Sequence, residues 1–177
     1  MTRDELAREI YRRSLLHGRF VLRSGAVSDH YFDKYLFESD PALLHAVATA
    51  LVPLVPDDTD AVAGLELGGV PLAVTLSALT GLPCRFVRKA AKEYGTRRLA
   101  EGGDVDGLRL LVVEDVITSG GQVVLSSQDL RSLGARVDHA VCVIDRQAGG
   151  AAKLAAVGVS LAPLFTMAEL ERAADAG

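Results

Sequence analysis

The feature that most constrains the fold is an alternation of short apolar strands with helices, which begins near residue 40. The strands are rich in β-branched residues, and polar residues do not alternate with apolar ones inside them, as is typical of strands covered on both faces. This alternation favours a doubly wound α/β fold with a parallel sheet, whose ligands bind at the carboxyl ends of the strands. The expected strands are 61–64, 84–87, 109–113, 137–144 and 159–164.

Helices are expected between these strands and at both ends of the chain. The first is capped by Thr2 or Asp4 and runs to about Leu16. The second starts at Asp40 with Pro41 in its first turn, and it stops before position 53. The others are expected at 70–79, 122–133, 151–157 and 167–173.

Two segments do not follow the alternation. Short extended pieces at 19–22 and 31–35 predict a hairpin-like flap. Residues 88–106 are polar, charged and without strong periodicity, and a loop of this length inside a compact domain is usually functional or disordered. We therefore expect a single domain over 1–177, with a hood or flap at about 1–37, an α/β core at about 38–165 and a closing helix at 166–177.

The composition argues against several classes of function. The net charge of −4 and an aromatic content of 5% without tryptophan disfavour nucleic-acid binding, which needs basic faces and stacking side chains. Cys84 and Cys142 lie in apolar stretches without zinc-site spacing, so we interpret both as structural thiols. The charged N-terminus is unlike a secretory signal, and no apolar run approaches the roughly 20 residues of a membrane span. We expect a cytoplasmic protein with no nucleic-acid or membrane partner.

The most informative segment joins two carboxylates to a glycine-containing turn. Its glycines let backbone N–H groups turn inward, two hydroxyls add donors, and the start of the next helix adds partial positive charge. Together these make an anion site of phosphate size, and adjacent carboxylates suit the hydroxyls of a ribose phosphate. An acidic turn that only caps a helix accounts less well for the whole ordered string. The string is Glu114, Asp115, Val116, Ile117, Thr118, Ser119, Gly120, Gly121 and Gln122.

Residues 112–121 closely resemble the phosphoribosyl-pyrophosphate motif of the type I phosphoribosyltransferases. The resemblance implies that family's fold, with a small N-terminal hood, and binding of 5-phosphoribosyl 1-pyrophosphate (PRPP) by Glu114 through Gln122. It implies that Glu114 and Asp115 hold the 2′- and 3′-hydroxyls of the ribose. It also implies Mg²⁺ as the cofactor, held mainly by PRPP and only indirectly by these two acids, with no metal bound directly by the protein.

Three further stretches resemble the orotate branch of that family. They correspond to its N-terminal flap, its mobile catalytic loop and its base-recognition segment, and they lie at 20–33, 86–95 and 144–147. Orotate carries a ring carboxylate, so its pocket needs cations and planar donors. The resemblance implies orotate as the acceptor base and orotidine 5′-monophosphate as the product, in pyrimidine synthesis. The residues implied to bind orotate are Arg23, Tyr31, Phe32, Thr118 and Arg146.

The segment at 88–106 is expected to close as a lid over the departing pyrophosphate. Its cations would stabilise the negative charge that accumulates on that group in the transition state. By the resemblance, Lys92 is the catalytic lysine and acts across the interface of a homodimer, in the partner's site. Arg88 and Asp115 complete the expected catalytic set. The lid residues expected to bind PRPP are Arg88, Lys89, Lys92 and Tyr94.

The chain departs from the family's pattern at four positions. Tyr94 stands where many orotate enzymes have a histidine, Ala90 where a glutamate is common, and Arg23 where a lysine is common. Some members place a lysine at the position of Gly68, which this chain lacks. These changes bear on rate and base specificity and not on PRPP binding. Two alternatives stay open: a phosphoribosyltransferase for a different base, and a non-catalytic regulator of the same fold that senses PRPP.

Overall fold

An N-terminal hood precedes the main sheet in the computed structural model, which describes residues 1–21, 25–90 and 99–176. Helix α1 (Arg3–Ser14) begins at Thr2, whose hydroxyl accepts a hydrogen bond from the Glu5 amide at 3.2 Å. The Glu5 carboxylate in turn accepts from the Thr2 amide at 2.7 Å, which completes a capping box. Strands β1 (Leu15–Val21) and β2 (Val27–Phe32) then pair antiparallel, so the expected hairpin is present.

The boundary between the first helix and the hairpin differs from the expectation. Helix α1 ends at Ser14 and not at Leu16, because Leu15 already pairs with Phe32 at the base of the hairpin. The first strand therefore starts four residues before position 19. Local apolar spacing could not separate helix from strand here, since Leu15 and Leu16 fit both patterns.

The second arm of the hairpin also differs, because it ends at Phe32 and not at Tyr35. The Asp33 carboxylate accepts a hydrogen bond from the Tyr35 amide at 3.1 Å, which turns the chain out of the sheet. A one-turn helix follows, α2 (Tyr35–Glu38), which the sequence pattern did not predict. This helix carries Lys34, at its N-terminal boundary, and Glu38 to the main sheet.

The chain after α2 alternates strands and helices, as expected. Its elements are α3 (Pro41–Leu51), a 3₁₀ turn (Val52–Leu54), β3 (Ala61–Leu65), α4 (Gly69–Thr80), β4 (Cys84–Val87), β5 (Ala100–Glu101), β6 (Arg109–Ile117), α5 (Gly121–Ser132), β7 (Arg136–Asp145), α6 (Gly150–Ala155), β8 (Ser160–Thr166) and α7 (Met167–Asp175). The strand order is β5-β4-β3-β6-β7-β8, and every neighbouring pair is parallel except β4 and β5. The predicted parallel α/β sheet is confirmed, with one short antiparallel strand at its edge.

Apolar side chains cover both faces of the sheet, which explains why its strands lack alternation. Leu111 and Val113 of β6 belong to a core with α1, α3, α4 and α7, whereas Leu110 and Val112 belong to a second core with α5 and α6. Cys142 is fully buried in the second core, where burial raises the pKa of its thiol, so it fits the structural role expected for it. Within the described residues, no helix is both long and apolar enough to cross a bilayer.

Strand β6 is longer than the sequence indicated. It was expected to end at Val113, but pairing with β7 continues to Ile117. The acidic pair therefore lies inside the strand and not after it. The expected loop at 88–106 is also interrupted, because Phe86 and Val87 of β4 pair with β5.

Candidate functional site

The turn between β6 and α5 has the form expected of an anion site. Gly120 adopts a φ of 70°, and a β-carbon there would lie 3.1 Å from the carbonyl oxygen of Gly150. Thr118 and Ser119 are exposed, and Gly121 begins α5 without a side-chain cap at its N-terminus. The Gln122 side chain donates to Ser126 at 3.2 Å, so its amide is engaged within its own helix. Hydroxyls and helix amides therefore meet at the carboxyl end of β6.

Glu114 and Asp115 are both buried, although carboxylates that bind a ligand are expected to face it. Asp115 is 0% exposed and Glu114 is 9% exposed. One Glu114 carboxylate oxygen accepts from the Asp115 amide at 3.1 Å, and Asp115 accepts from the Val116 amide. The second Asp115 oxygen, Oδ2, lies 2.7 Å from the ammonium of Lys34. Asp115 is thus enclosed by protein groups, with Lys34 as its ionic partner.

Burial and neighbouring charge shift the pKa values of Asp115 and Lys34 in opposite directions, whereas burial and the Asp115 charge shift that of Glu114 in the same direction. Burial alone would raise the pKa of Asp115, but contacts with Glu114 and with the Lys34 ammonium lower it below its usual value. Burial and the Asp115 charge raise the pKa of Glu114 well above its ordinary range. Burial would lower the pKa of Lys34, but its contact with Asp115 raises it. The cluster therefore favours the charged forms of Asp115 and Lys34 and the neutral form of Glu114.

Lys34 and Glu38 are site residues that the sequence analysis missed. The Glu38 side chain is 6% exposed, and burial together with the neighbouring Asp115 charge raises its pKa to about 9. Glu38 is therefore protonated at neutral pH. The only signal for Lys34 was its place directly after the flap stretch that ends at Asp33, and nothing marked Glu38.

Glycines between β3 and α4 leave room for this cluster. A β-carbon at Gly68 would overlap the Asp115 carboxylate and lie 3.0 Å from Oε1 of Glu38. A β-carbon at Gly69 would overlap the carbonyl of Val113 on the adjacent strand. The absence of a side chain at Gly68 is therefore what accommodates the Asp115 carboxylate.

Residues of the flap, of helices α1 and α7 and of the turn after β7 line an open pocket of about 270 Å³. Three residues expected to bind the base line it: Tyr31, which is 45% exposed, Phe32 and Arg146. The Arg146 guanidinium lies 5.9 Å from the centre of the Phe32 ring. The Arg146 amide donates to the carbonyl of Ile117 at 2.9 Å, which holds this turn against β6. Thr118 is exposed on the neighbouring turn, outside the lining of this pocket.

The segment that was expected to form a lid is described in part, and this part contains Arg88, one of the expected catalytic residues. Arg88 Nε lies 3.6 Å from Oε1 of Glu101 on β5, and its amide donates to the Leu99 carbonyl at 2.9 Å. Lys89 is exposed. The expected residues Arg23, Lys92 and Tyr94 lie outside the described residues.

Comparisons with known proteins agree with this geometry. A family model described as a phosphoribosyl transferase domain matches residues 37–165. An orotate phosphoribosyltransferase of Nocardioides sp. is 54% identical over 178 residues, covering 100% of this chain and 99% of that protein. The orotate phosphoribosyltransferase of Halobacterium salinarum is 45% identical, covering 86% of this chain and 87% of its own. The crystal structure of Mycobacterium tuberculosis orotate phosphoribosyltransferase in complex with 5-phospho-alpha-D-ribosyl 1-diphosphate has a TM-score of 0.82 at 29% identity, covering 96% and 98% of the two chains.

Proposed function

The chain belongs to the orotate phosphoribosyltransferases, and we propose that its substrate site combines the carboxyl edge of the main sheet with the flap pocket. Its reaction is the transfer of the phosphoribosyl group from PRPP to orotate, giving orotidine 5′-monophosphate and pyrophosphate. In that reaction, N1 of orotate loses its proton and forms a bond to C1 of the ribose, while the bond from C1 to the pyrophosphate oxygen breaks and pyrophosphate leaves. The activity belongs to pyrimidine biosynthesis.

PRPP is proposed to bind at the segment from Glu114 to Gln122. The single observation that carries this proposal is the turn at 118–120, in which Thr118 and Ser119 are exposed and which opens α5 directly after the strand that bears Asp115. Backbone amides and the hydroxyls of Thr118 and Ser119 suit the 5′-phosphate. Glu114 and Asp115 are proposed to accept hydrogen bonds from the ribose hydroxyls, which would fix the position of C1 for attack.

Mg²⁺ is proposed to enter with PRPP. Across the ranges that the structure describes, no group of three or more His, Cys, Asp or Glu side chains is arranged to hold a metal ion. Oxygens of the pyrophosphate are suitable ligands for Mg²⁺, with Glu114 and Asp115 contributing only indirectly. The metal would neutralise the charge that develops on the leaving group.

Orotate is proposed to bind in the flap pocket. The planar guanidinium of Arg146 can donate two parallel hydrogen bonds to a carboxylate or to ring carbonyls. Phe32 and the exposed Tyr31 provide flat apolar surface for the ring. Arg23 and Thr118, from the flap and the phosphate turn, are proposed as further contacts to the base.

The lid is proposed to supply the cations that stabilise departing pyrophosphate. Lys92 is the proposed catalytic lysine, acting in the site of the second subunit of a homodimer, and Lys89 and Tyr94 are proposed PRPP contacts. Arg88, which lies beside Glu101, would exchange that partner for pyrophosphate when the lid closes. The homodimer and a cytoplasmic location are parts of the proposal that rest on the sequence.

Orotate consumption followed by ultraviolet absorbance tests the whole assignment. The complete mixture of enzyme, orotate, PRPP and Mg²⁺ should lose orotate absorbance, and omission of PRPP or Mg²⁺ should abolish the loss. An unchanged signal at high enzyme concentration would contradict orotate as the acceptor. Replacing orotate with purine bases in the same mixture would then identify a different acceptor, and PRPP binding without any turnover would indicate a regulator.

A further inference from the structure

We propose that Lys34 is a further substrate-binding residue, whose ammonium binds the pyrophosphate group of PRPP. The inference deepens the proposed function and rests on its placing of PRPP at the carboxyl ends of β3 and β6. Lys34 lies at the start of α2, outside every segment from which PRPP contacts were expected. Its ammonium nevertheless reaches the carboxyl end of β6, where it lies 2.7 Å from Oδ2 of Asp115.

The Lys34 ammonium provides a positive charge beside the turn between β3 and α4, and residue 68 cannot provide that charge. The Asp115 carboxylate stands where a β-carbon at Gly68 would be, so the present arrangement of Asp115 and any side chain at position 68 exclude each other. A cation beside the turn between β3 and α4 must therefore come from another element. Among the described residues, Lys34 is the cation whose ion pair reaches Asp115.

Exposure shows which member of the ion pair can meet a ligand. The Lys34 side chain retains 34% of its exposure, whereas that of Asp115 retains 0%. Lysine is a compact charge on a flexible stem with three donors, and Asp115 uses only part of this capacity. When the ammonium turns toward pyrophosphate, it uncovers Asp115 for the ribose hydroxyls. The bond that breaks joins C1 of the ribose to pyrophosphate. One movement of Lys34 therefore places a cation at the pyrophosphate and frees Asp115 to bind the ribose.

The surroundings of the ion pair favour an anion. Helix α4 begins at Gly69 without a side-chain cap, so its first amides point to the same turn with partial positive charge. The Glu38 carboxyl also lies close to this turn, because its Oε1 would be 3.0 Å from a β-carbon at Gly68, and this oxygen is buried without a hydrogen-bond partner in the described structure. Because burial keeps Glu38 protonated, it adds no charge that would repel pyrophosphate.

Replacing Lys34 with methionine tests the inference, because methionine keeps an unbranched side chain and removes the charge. Calorimetric titration of the Lys34→Met variant should show Mg²⁺-pyrophosphate binding weakened about tenfold to a hundredfold, the range expected when a charged hydrogen bond is lost. The KM for PRPP should rise in proportion, while the affinity for orotidine 5′-monophosphate, which has no pyrophosphate, does not fall. Lys34→Arg should retain most of the pyrophosphate affinity. Lys34→Gln serves as a second neutral variant if the methionine variant is poorly folded.

The matched control is Arg109→Met at the other end of β6. Arg109 also pairs with an aspartate, Asp58, at 2.7 Å, but it lies far from the carboxyl edge and should leave pyrophosphate binding unchanged. Unchanged pyrophosphate affinity in a folded Lys34→Met protein would overturn the inference alone. Equal weakening of pyrophosphate and orotidine 5′-monophosphate would also overturn it, because Lys34 would then act through the fold. If the wild-type protein binds neither PRPP nor pyrophosphate, the proposed function fails first and the inference falls with it.

Discussion

Replacing Glu38 with glutamine should stabilise the protein relative to the wild type, and increasingly so as the pH rises from about 5 to about 8. Glu38 is 6% exposed beside Asp115, and its pKa in the folded protein is about 9. The unfolded chain releases this proton near pH 4.3, so between these two values the unfolded state binds fewer protons than the folded state. The free energy of unfolding of the wild type must therefore fall through this range, and the glutamine variant lacks that contribution.

The size of the effect follows from the width of the pH interval. Each pH unit inside the window contributes at most about 1.4 kcal/mol, so three units set a ceiling of about 4 kcal/mol. Movement of Lys34 and entry of water would screen part of this, and we expect about 2 kcal/mol. For a chain of this length, that corresponds to a gain in melting temperature of about 4–8 °C. Glu114 also has a raised pKa, but it is common to both proteins and largely cancels in their difference.

Urea unfolding followed by circular dichroism at about pH 5, 6.5 and 8 measures this difference directly. The control is Glu169→Gln at the start of α7. Its amide and hydroxyl contacts with Thr166 lower the pKa of Glu169, so it is ionised in both states throughout the range, and its effect should not vary with pH. A difference between Glu38→Gln and wild type that stays constant with pH would refute the reasoning, since it would mean that Glu38 ionises in the folded protein as it does in the unfolded chain.

Three further predictions concern the site. Gly68→Ala should force the Asp115 carboxylate away from Lys34. We expect a loss of about 1–3 kcal/mol in the free energy of unfolding, measured by urea titration, and a raised KM for PRPP. An unaltered KM would contradict the geometry. Arg146→Lys keeps the charge but loses the planar fork, so the KM for orotate should rise about tenfold while that for PRPP stays near the wild-type value. Lys92→Ala should lower turnover strongly with little change in melting temperature, and a much lower melting temperature would instead indicate a structural lysine.

The main sheet was predictable because its signal is local and strong. Unbroken apolar runs such as 140–144 are found where both faces of the sheet are covered, and this run forms the second half of β7 (Arg136–Asp145). The errors lie where pairing with a distant strand decides the structure. Leu15 became part of a strand because of Phe32, and β6 continued to Ile117 because of its register with β7. Neither partner is visible in a local window of sequence.

The site residues can likewise be divided into those that the sequence could place and those that only the fold reveals. Contiguous parts such as the turn at 118–120 could be placed from the sequence, since one strand and one helix hold the whole motif. The meeting of Tyr31 and Phe32 with Arg146 required the resemblance, because the flap and β7 are distant in the chain. Lys34 and Glu38 had no local signal. Their chemistry comes from burial beside Asp115, which only the folded arrangement of α2 against the sheet reveals.

The glycine at position 68 shows why a departure from a family's pattern cannot be interpreted one position at a time. Judged alone, Gly68 marks the loss of a cation that some relatives possess. In the fold, the missing side chain is what admits the Asp115 carboxylate, and that carboxylate holds the ammonium of Lys34 from a different element. Electrostatic stabilisation depends on where a charge lies and not on which segment of the chain carries it. If Lys34 binds pyrophosphate, the two positions are coupled, and a lysine introduced at position 68 should be tolerated only in a protein whose Asp115 has moved.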